Sequence, residues 1–179
     1  MAVVNVAINV IYDYGERPRP ESRLRSISGI RRSRLRLSPT EANPMTFSPE
    51  LHLLTLTAIA TLLMWIPYML ARIMTRGLMA ALSNPDPSHP PDPPWAERAR
   101  RAHANAIENL AVFAPLVLMC AMTGASSPAT VFSARLYLGA RLVHYVVYAA
   151  GIPVVRTIAF LTGFAATLTF AVALLGHAT

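Results

Sequence analysis

Apolar residues in this chain gather into four blocks, and each block is long enough to cross a lipid bilayer. About 20 helical residues, at ~1.5 Å each, span the ~30 Å hydrocarbon core. With 54% hydrophobic and 14% charged residues, a water-soluble domain would need its apolar side chains dispersed, and here they are not. The chain therefore predicts an all-α integral membrane four-helix bundle within residues 45–179. Its helices are expected at about residues 51–73, 96–122, 129–151 and 153–175.

Prolines mark the connections and the expected bends. Residues 83–94, SNPDPSHPPDPP, are too rich in proline for a helix and predict an extended surface loop. Pro67 and Pro115 lie inside apolar blocks, where neighbouring helices can satisfy the freed carbonyls, so we expect kinks rather than breaks. The links at 123–130 and around Gly151 are short, which predicts antiparallel neighbours for the last three helices.

The placement of arginines predicts an orientation. All 16 basic residues are arginines. Basic residues are retained on the cytoplasmic side of short loops, so the arginines beside the first loop predict that this loop is cytoplasmic. The residues concerned are Arg72, Arg76, Arg98, Arg100 and Arg101. A basic set made only of arginine is typical of a GC-rich bacterial genome, which favours a bacterial inner membrane.

Residues 1–44 differ from the rest of the chain. They carry eight of the arginines, have no long apolar run and no sustained amphipathic period, and so predict a disordered tail. Two interpretations remain open: translation starts at Met45, or the tail is a basic arm for targeting or lipid contact. Because much of the net charge of +7 lies in this tail, the charge does not indicate a nucleic-acid partner.

Polar residues enter the second block on one helix face. Arg101, Asn105 and Glu108 are spaced i, i+4 and i+7, so they share a face. If the block ends near Met122 at the far surface of the membrane, Glu108 lies roughly 21 Å from that surface. It is then ~9 Å inside the other edge of the ~30 Å hydrocarbon core. The sequence therefore predicts a carboxylate within the membrane.

The third block repeats this pattern at the same level. Arg141, His144 and Tyr148 are spaced i, i+3 and i+7, and His144 is predicted at about the depth of Glu108. Arg156 lies in the first turn of the fourth block, near this layer. Three helices are thus expected to contribute polar side chains at one depth.

A charged group at this depth costs about 2.5 to 3.5 kcal/mol even on lenient insertion scales, so these residues must face protein or a cavity. One interpretation is structural, with Arg141 and Glu108 paired between helices. The other is a binding site, since three or four arginines converge on one carboxylate and the surplus positive charge would attract an anion. No metal site is expected from one cysteine, Cys120, and scattered histidines.

Residues from about Leu51 to Leu175 resemble the MAPEG superfamily, membrane-associated proteins in eicosanoid and glutathione metabolism, in a bacterial-type form. The resemblance rests on RAHANAIE at 101–108, which matches an R-x-x-x-N-x-x-E motif, on RLVHYVVY at 141–148, and on Arg156 just after the third helix. The chain departs from some members at Ala104 and Asn109, where they carry arginine and tyrosine.

The resemblance implies a homotrimer that binds glutathione between subunits near the cytoplasmic face. It implies a glutathione-dependent transferase or peroxidase, with glutathione as co-substrate and a lipophilic electrophile or hydroperoxide arriving through the bilayer. Arg156 would stabilise the thiolate. The glutathione-binding residues would be Arg76, Arg101, Asn105, Glu108, Arg141, His144 and Tyr148. Two other hypotheses remain: a non-catalytic trimer whose polar layer is structural, and a small transporter.

Overall fold

The structure is a computed structural model that describes residues 47–84 and 86–178. The expectations for residues 1–44 and for a start at Met45 lie outside these residues. Every regular element in the described part is an α-helix. The helices are α1 Pro49–Leu63, α2 Trp65–Arg76, α3 Leu78–Leu82, α4 Pro94–Thr123, α5 Pro128–Ala150 and α6 Pro153–His177.

Three helical segments of the described chain are long and apolar enough to cross a membrane. They are Pro49–Arg76, Pro94–Thr123 and Pro153–His177. The 23-residue helix α5 is not among them, because Arg135, Arg141 and His144 lower its hydropathy. The all-helical prediction is confirmed, and the membrane-capable segments number three where the sequence predicted four.

Consecutive long helices run in opposite directions, so α4 and α6 are parallel to each other and antiparallel to α5. At the end that carries the loop of residues 83–93, here called the loop face, Arg98 Nε donates to the Ala149 carbonyl at 2.9 Å. At the other end, the opposite face, His177 Nε2 lies 3.0 Å from the Thr123 carbonyl oxygen. Gly151 adopts a left-handed conformation, with φ of 82°, which lets the chain turn from α5 into α6.

Proline interrupts the first segment and leaves α4 continuous. α1 ends at Leu63 and α2 begins at Trp65, because the ring of Pro67 clashes with the carbonyl four residues earlier and has no N–H to donate. The Tyr145 hydroxyl of α5 donates to the Met64 carbonyl at this junction, at 2.8 Å. Met64 keeps right-handed helical dihedrals, so the first segment bends at one residue and continues as a single span, as expected, while α4 is uninterrupted at Pro115.

Aromatic rings from three helices form the centre of the core. Phe113 of α4 stacks on Tyr137 of α5 with ring centroids 3.6 Å apart, and meets Phe170 of α6 edge-on at 5.4 Å. All three side chains are fully buried. Small residues such as Ala134 and Ala166 lie beside them and allow the helices to approach closely.

A buried carboxylate ties the start of α1 to the start of α5 at the opposite face. Glu50 is buried, and its Oε1 accepts hydrogen bonds from the hydroxyls of Ser126 and Thr130, the latter at 2.7 Å. Its Oε2 is buried and has no partner among the described atoms. The sequence analysis did not single out this residue, because Glu50 stands at the edge of an apolar block and belongs to no spaced motif.

Candidate functional site

Arg141 is the most deeply buried cation of the described chain. It lies on α5, is 2% exposed, and its guanidinium lies over the ring of Tyr137 at 5.0 Å and that of Phe160 at 5.5 Å. Its Nη1 donates to Asn105 Oδ1, and its Nη2 donates to the Phe160 carbonyl, both at 3.4 Å. These are long contacts with neutral acceptors, so the charge of Arg141 has no carboxylate partner in the described part of the chain.

His144, Tyr148 and Arg156 extend this cluster toward the loop face. The buried imidazole of His144 meets the Tyr148 ring edge-on at 5.5 Å. The Arg156 guanidinium lies 4.6 Å from the centre of the same tyrosine ring. We call Asn105, Arg141, His144, Tyr148 and Arg156 the polar cluster; it joins α4, α5 and α6, and it contains two cations and no acid.

Asp92 at the loop face is already engaged by two other arginines. Its carboxylate pairs with Arg72 at 2.7 Å and with Arg76 at 2.9 Å. These contacts join α2 to the proline-rich loop. Arg76, which the resemblance assigns to glutathione, is thus held by Asp92 and lies outside the polar cluster.

Arg101 and Glu108 also lie outside the polar cluster in the single chain. Arg101 is exposed, and its Nε is 3.4 Å from Glu97, which pairs more closely with Arg100 at 2.8 Å. Glu108 is exposed and makes no ion pair or hydrogen bond with any residue in 47–84 or 86–178. The structural hypothesis of an Arg141 pair with Glu108 does not match this arrangement, because Asn105 is the α4 side chain that meets Arg141.

Two residues that shape the site were missed by the sequence analysis. The first is Tyr137, whose ring supports Arg141 and whose hydroxyl is buried without a partner among the described atoms. Its position four residues before Arg141 on α5 could have indicated that its ring lies beside the arginine. The second is Gly163 of α6, where a Cβ would lie 2.8 Å from the Arg141 Cζ and Nε. No sequence signal distinguishes Gly163 from the other small residues of α6.

The charges around the polar cluster favour an anionic ligand. Arg141 and Arg156 form no ion pair with a described acid, while Asp92 and Glu97 pair with other arginines. The Arg141 Nε is buried and has no partner among the described atoms. A guanidinium presents forked donors that match a carboxylate, so an acidic ligand would satisfy both the charge and the free donor.

A family model for the MAPEG family matches residues 52–176. The chain belongs to the MAPEG family. This match covers all the long helices except the first turn of α1 and the last residue of α6. Together with three membrane-capable helices, it identifies this MAPEG chain as a membrane protein.

Curated relatives of this MAPEG chain include microsomal glutathione S-transferase 1 from several mammals. The human protein is 35% identical over 80 residues, which are 44% of this chain and 52% of the relative. The pig protein is 36% identical and the rat protein 35% identical over the same length and the same shares. The MAPEG chain thus spans about half the length of the curated relatives it matches.

Proposed function

We propose that this chain is a membrane-embedded, glutathione-dependent transferase or peroxidase. Glutathione would be the co-substrate, and a lipophilic electrophile or hydroperoxide would be the second substrate. The single observation that carries the proposal is the buried Arg141, which has no carboxylate partner in the described part of the chain and lies in one cluster with Arg156. Membership of the MAPEG family and the similarity to microsomal glutathione S-transferase 1 support the choice of ligand.

The chemistry of glutathione suits the polar cluster. Its two carboxylates would bind the guanidinium groups, with Arg141 as the buried anchor and Asn105 as a neutral donor or acceptor. Arg156 is proposed to lie beside the sulfur and to favour the thiolate by charge and hydrogen bonding. His144 and Tyr148 would shape the pocket and offer ring and hydroxyl hydrogens. The thiolate would then displace a leaving group from carbon or attack a peroxide oxygen.

A homotrimer would complete this site, and the exposed position of Glu108 supports that proposal. Glu108 lies about 22 Å along α4 from the opposite face, well inside a ~30 Å core, and a charge there needs protein or a ligand around it. Contact with a second copy would cover Glu108 and bring Arg101 and Arg76 of one copy toward the polar cluster of another. These three residues are proposed to bind glutathione in the assembled protein.

The orientation and the number of spans are part of the same proposal. We propose that α5 crosses the bilayer as the fourth span, because its polar residues Arg141 and His144 are buried against other helices. The arginine-rich loop face is proposed to be cytoplasmic, in a bacterial inner membrane, where glutathione would reach the polar cluster from water.

The decisive experiment measures glutathione binding by the full-length protein in detergent. We expect glutathione to raise the melting temperature and to produce the ultraviolet absorbance of a bound thiolate. S-methylglutathione should give the temperature shift without that absorbance. Arg156→Ala should lose the thiolate absorbance and about 100-fold in kcat/KM toward a model electrophile, the scale for removing one preorganised charge-stabilising group. Arg100→Ala, an exposed arginine paired with Glu97, serves as the control and should keep both.

The alternatives give different results in the same measurements. A non-catalytic trimer would show no response to glutathione in the wild type, while Glu108→Ala would lower its melting temperature. A transporter would move glutathione into liposomes without forming a thiolate. Either outcome would overturn the proposed activity.

A further inference from the structure

A groove between α5 and α6 lies apart from the polar cluster and has no assigned role. Its volume is about 370 Å³, within the range of small-molecule sites. The small residues Gly139, Ala140 and Ala159 line it, and its walls are almost wholly apolar. The remaining lining residues are Arg135, Leu136, Val143, Val155, Ile158 and Thr162.

Arg135 is the only charged residue that lines this groove. It is exposed, and it makes no hydrogen bond or ion pair with the residues that the structure describes. It lies seven residues into α5, about 10 Å from the opposite face, and its long side chain can extend toward that face. One end of an apolar groove therefore carries a cation that lacks a counterion in the described chain.

The groove runs from Arg135 past the middle of the bilayer toward the loop face. Arg135 and Val143 are eight residues apart on α5, so this stretch of the groove is about 12 Å long, and Val155 near the start of α6 lines its inner end. Since Arg135 lies about 10 Å from the opposite face, the inner part of the groove lies beyond the ~15 Å midpoint of a ~30 Å hydrocarbon core. An acyl chain would run along the groove with its head group at Arg135, near the opposite face.

Among residues 47–84 and 86–178, no acid of a second copy is placed to pair with Arg135. Copies inserted in the same orientation present their side chains at matching depths. Glu108, the acid left without a partner in residues 47–84 and 86–178, lies about 22 Å from the opposite face, some 12 Å deeper than Arg135. Glu50 is at the right end but is buried within its own chain, and the other described acids lie at the loop face.

We propose that this groove is a binding site for an anionic phospholipid of the leaflet at the opposite face. The phosphate pairs with Arg135, and one acyl chain lies between α5 and α6 over Gly139. A cation at one end of an apolar groove favours a lipid with net negative charge over a zwitterionic lipid with the same acyl chains. This site is independent of the proposed glutathione chemistry.

The test uses the full-length protein in detergent, with phosphatidylglycerol or phosphatidylcholine of identical acyl chains, and counts retained lipids by native mass spectrometry. The wild type should retain phosphatidylglycerol in preference to phosphatidylcholine. Arg135→Gln should lower phosphatidylglycerol retention about five-fold, the effect of losing one interfacial cation, and Arg135→Lys should keep it. Gly139→Leu should lower retention of both lipids by filling the groove. Val172→Leu enlarges an exposed side chain of α6 outside the groove and should change neither.

Three results would overturn the proposal. The first is equal retention of the two lipids by the wild type, and the second is unchanged phosphatidylglycerol retention in Arg135→Gln. The third is a change in subunit number in Gly139→Leu with unchanged lipid retention, which would place a second copy in the groove. If Gly139→Leu does not fold, as judged by circular dichroism, the comparison of the glutamine and lysine variants at position 135 still decides the question.

Discussion

The guanidinium of Arg141 lies against Gly163, in the space that a methyl group at position 163 would occupy. Gly163→Ala would push the guanidinium away from Asn105 and the Phe160 carbonyl. The crowding costs about 1 to 3 kcal/mol, and it exceeds the gain of up to ~1 kcal/mol from replacing a helical glycine. We expect a lower melting temperature and, on the proposed function, a higher KM for glutathione with a smaller change in kcat.

Gly139→Ala is the matched control for that prediction, because Gly139 is also helical and has no atom within 4 Å of an added Cβ. It should leave the melting temperature and the glutathione KM unchanged or slightly improve stability. Equal effects at positions 139 and 163 would contradict the role assigned to the contact between Gly163 and Arg141.

Glu50 should be more important for stability than its place at a helix start indicates. The Glu50 carboxylate accepts hydrogen bonds from the Ser126 and Thr130 hydroxyls. Glu50→Gln replaces this carboxylate by an amide, whose N–H donor then points into buried space. We expect a loss of about 1 to 3 kcal/mol in the free energy of unfolding, measured by denaturation in mixed micelles. Glu97→Gln breaks only partly exposed pairs and should cost at most ~1 kcal/mol. A larger effect at Glu97 than at Glu50 would refute this ranking.

Two tyrosines of α5 should respond in opposite ways to loss of the hydroxyl. Tyr145→Phe removes the hydrogen bond to the Met64 carbonyl, so it should cost about 0.5 to 1.5 kcal/mol and speed deuterium exchange around the junction of α1 and α2. Tyr137→Phe removes a buried hydroxyl that has no partner among the described atoms, and should be neutral or stabilising. Clear destabilisation by Tyr137→Phe would mean that this hydroxyl is bonded to a bound molecule.

Asp92 should hold the proline-rich loop against α2. Asp92→Asn leaves Arg72 and Arg76 without their shared carboxylate, so limited proteolysis should cut within residues 83–93 faster than in the wild type. Asp86→Asn is the control in the same loop, since Asp86 is exposed and accepts a hydrogen bond from the nearby Ser88 N–H at 2.8 Å. Equal cleavage of the two variants would argue against the role of the Asp92 pairs.

The positions of the helices could be predicted because bilayer thickness imposes a length on apolar blocks. The helix expected over 129–151 is observed as Pro128–Ala150, and the one expected over 153–175 as Pro153–His177. The bend at Met64 was expected from Pro67, but the contacts around it were not, since proline removes a hydrogen bond locally while neighbouring helices decide how the backbone bends. Tyr145 is one such neighbour, and nothing in its spacing indicates a contact with Met64.

The candidate site could be predicted only in part. Residue spacing correctly groups Arg141, His144 and Tyr148 on α5, whose side chains lie together with Arg156. The same spacing rule groups Arg101, Asn105 and Glu108 on α4, yet only Asn105 meets Arg141. A helix face covers a wide arc, so one member of a shared face can lie against a neighbour while the others remain exposed.

By itself, the sequence determined that this chain enters a membrane as α-helices and that polar side chains lie within them, because hydropathy and helical period are local properties. The tertiary structure decided which of those side chains meet. The rotation of each helix about its axis depends on packing at Phe113, Tyr137 and Phe170, and on the missing side chain at Gly163 that admits Arg141. Because such packing joins residues far apart in the chain, it cannot be predicted from the spacing of residues within one helix.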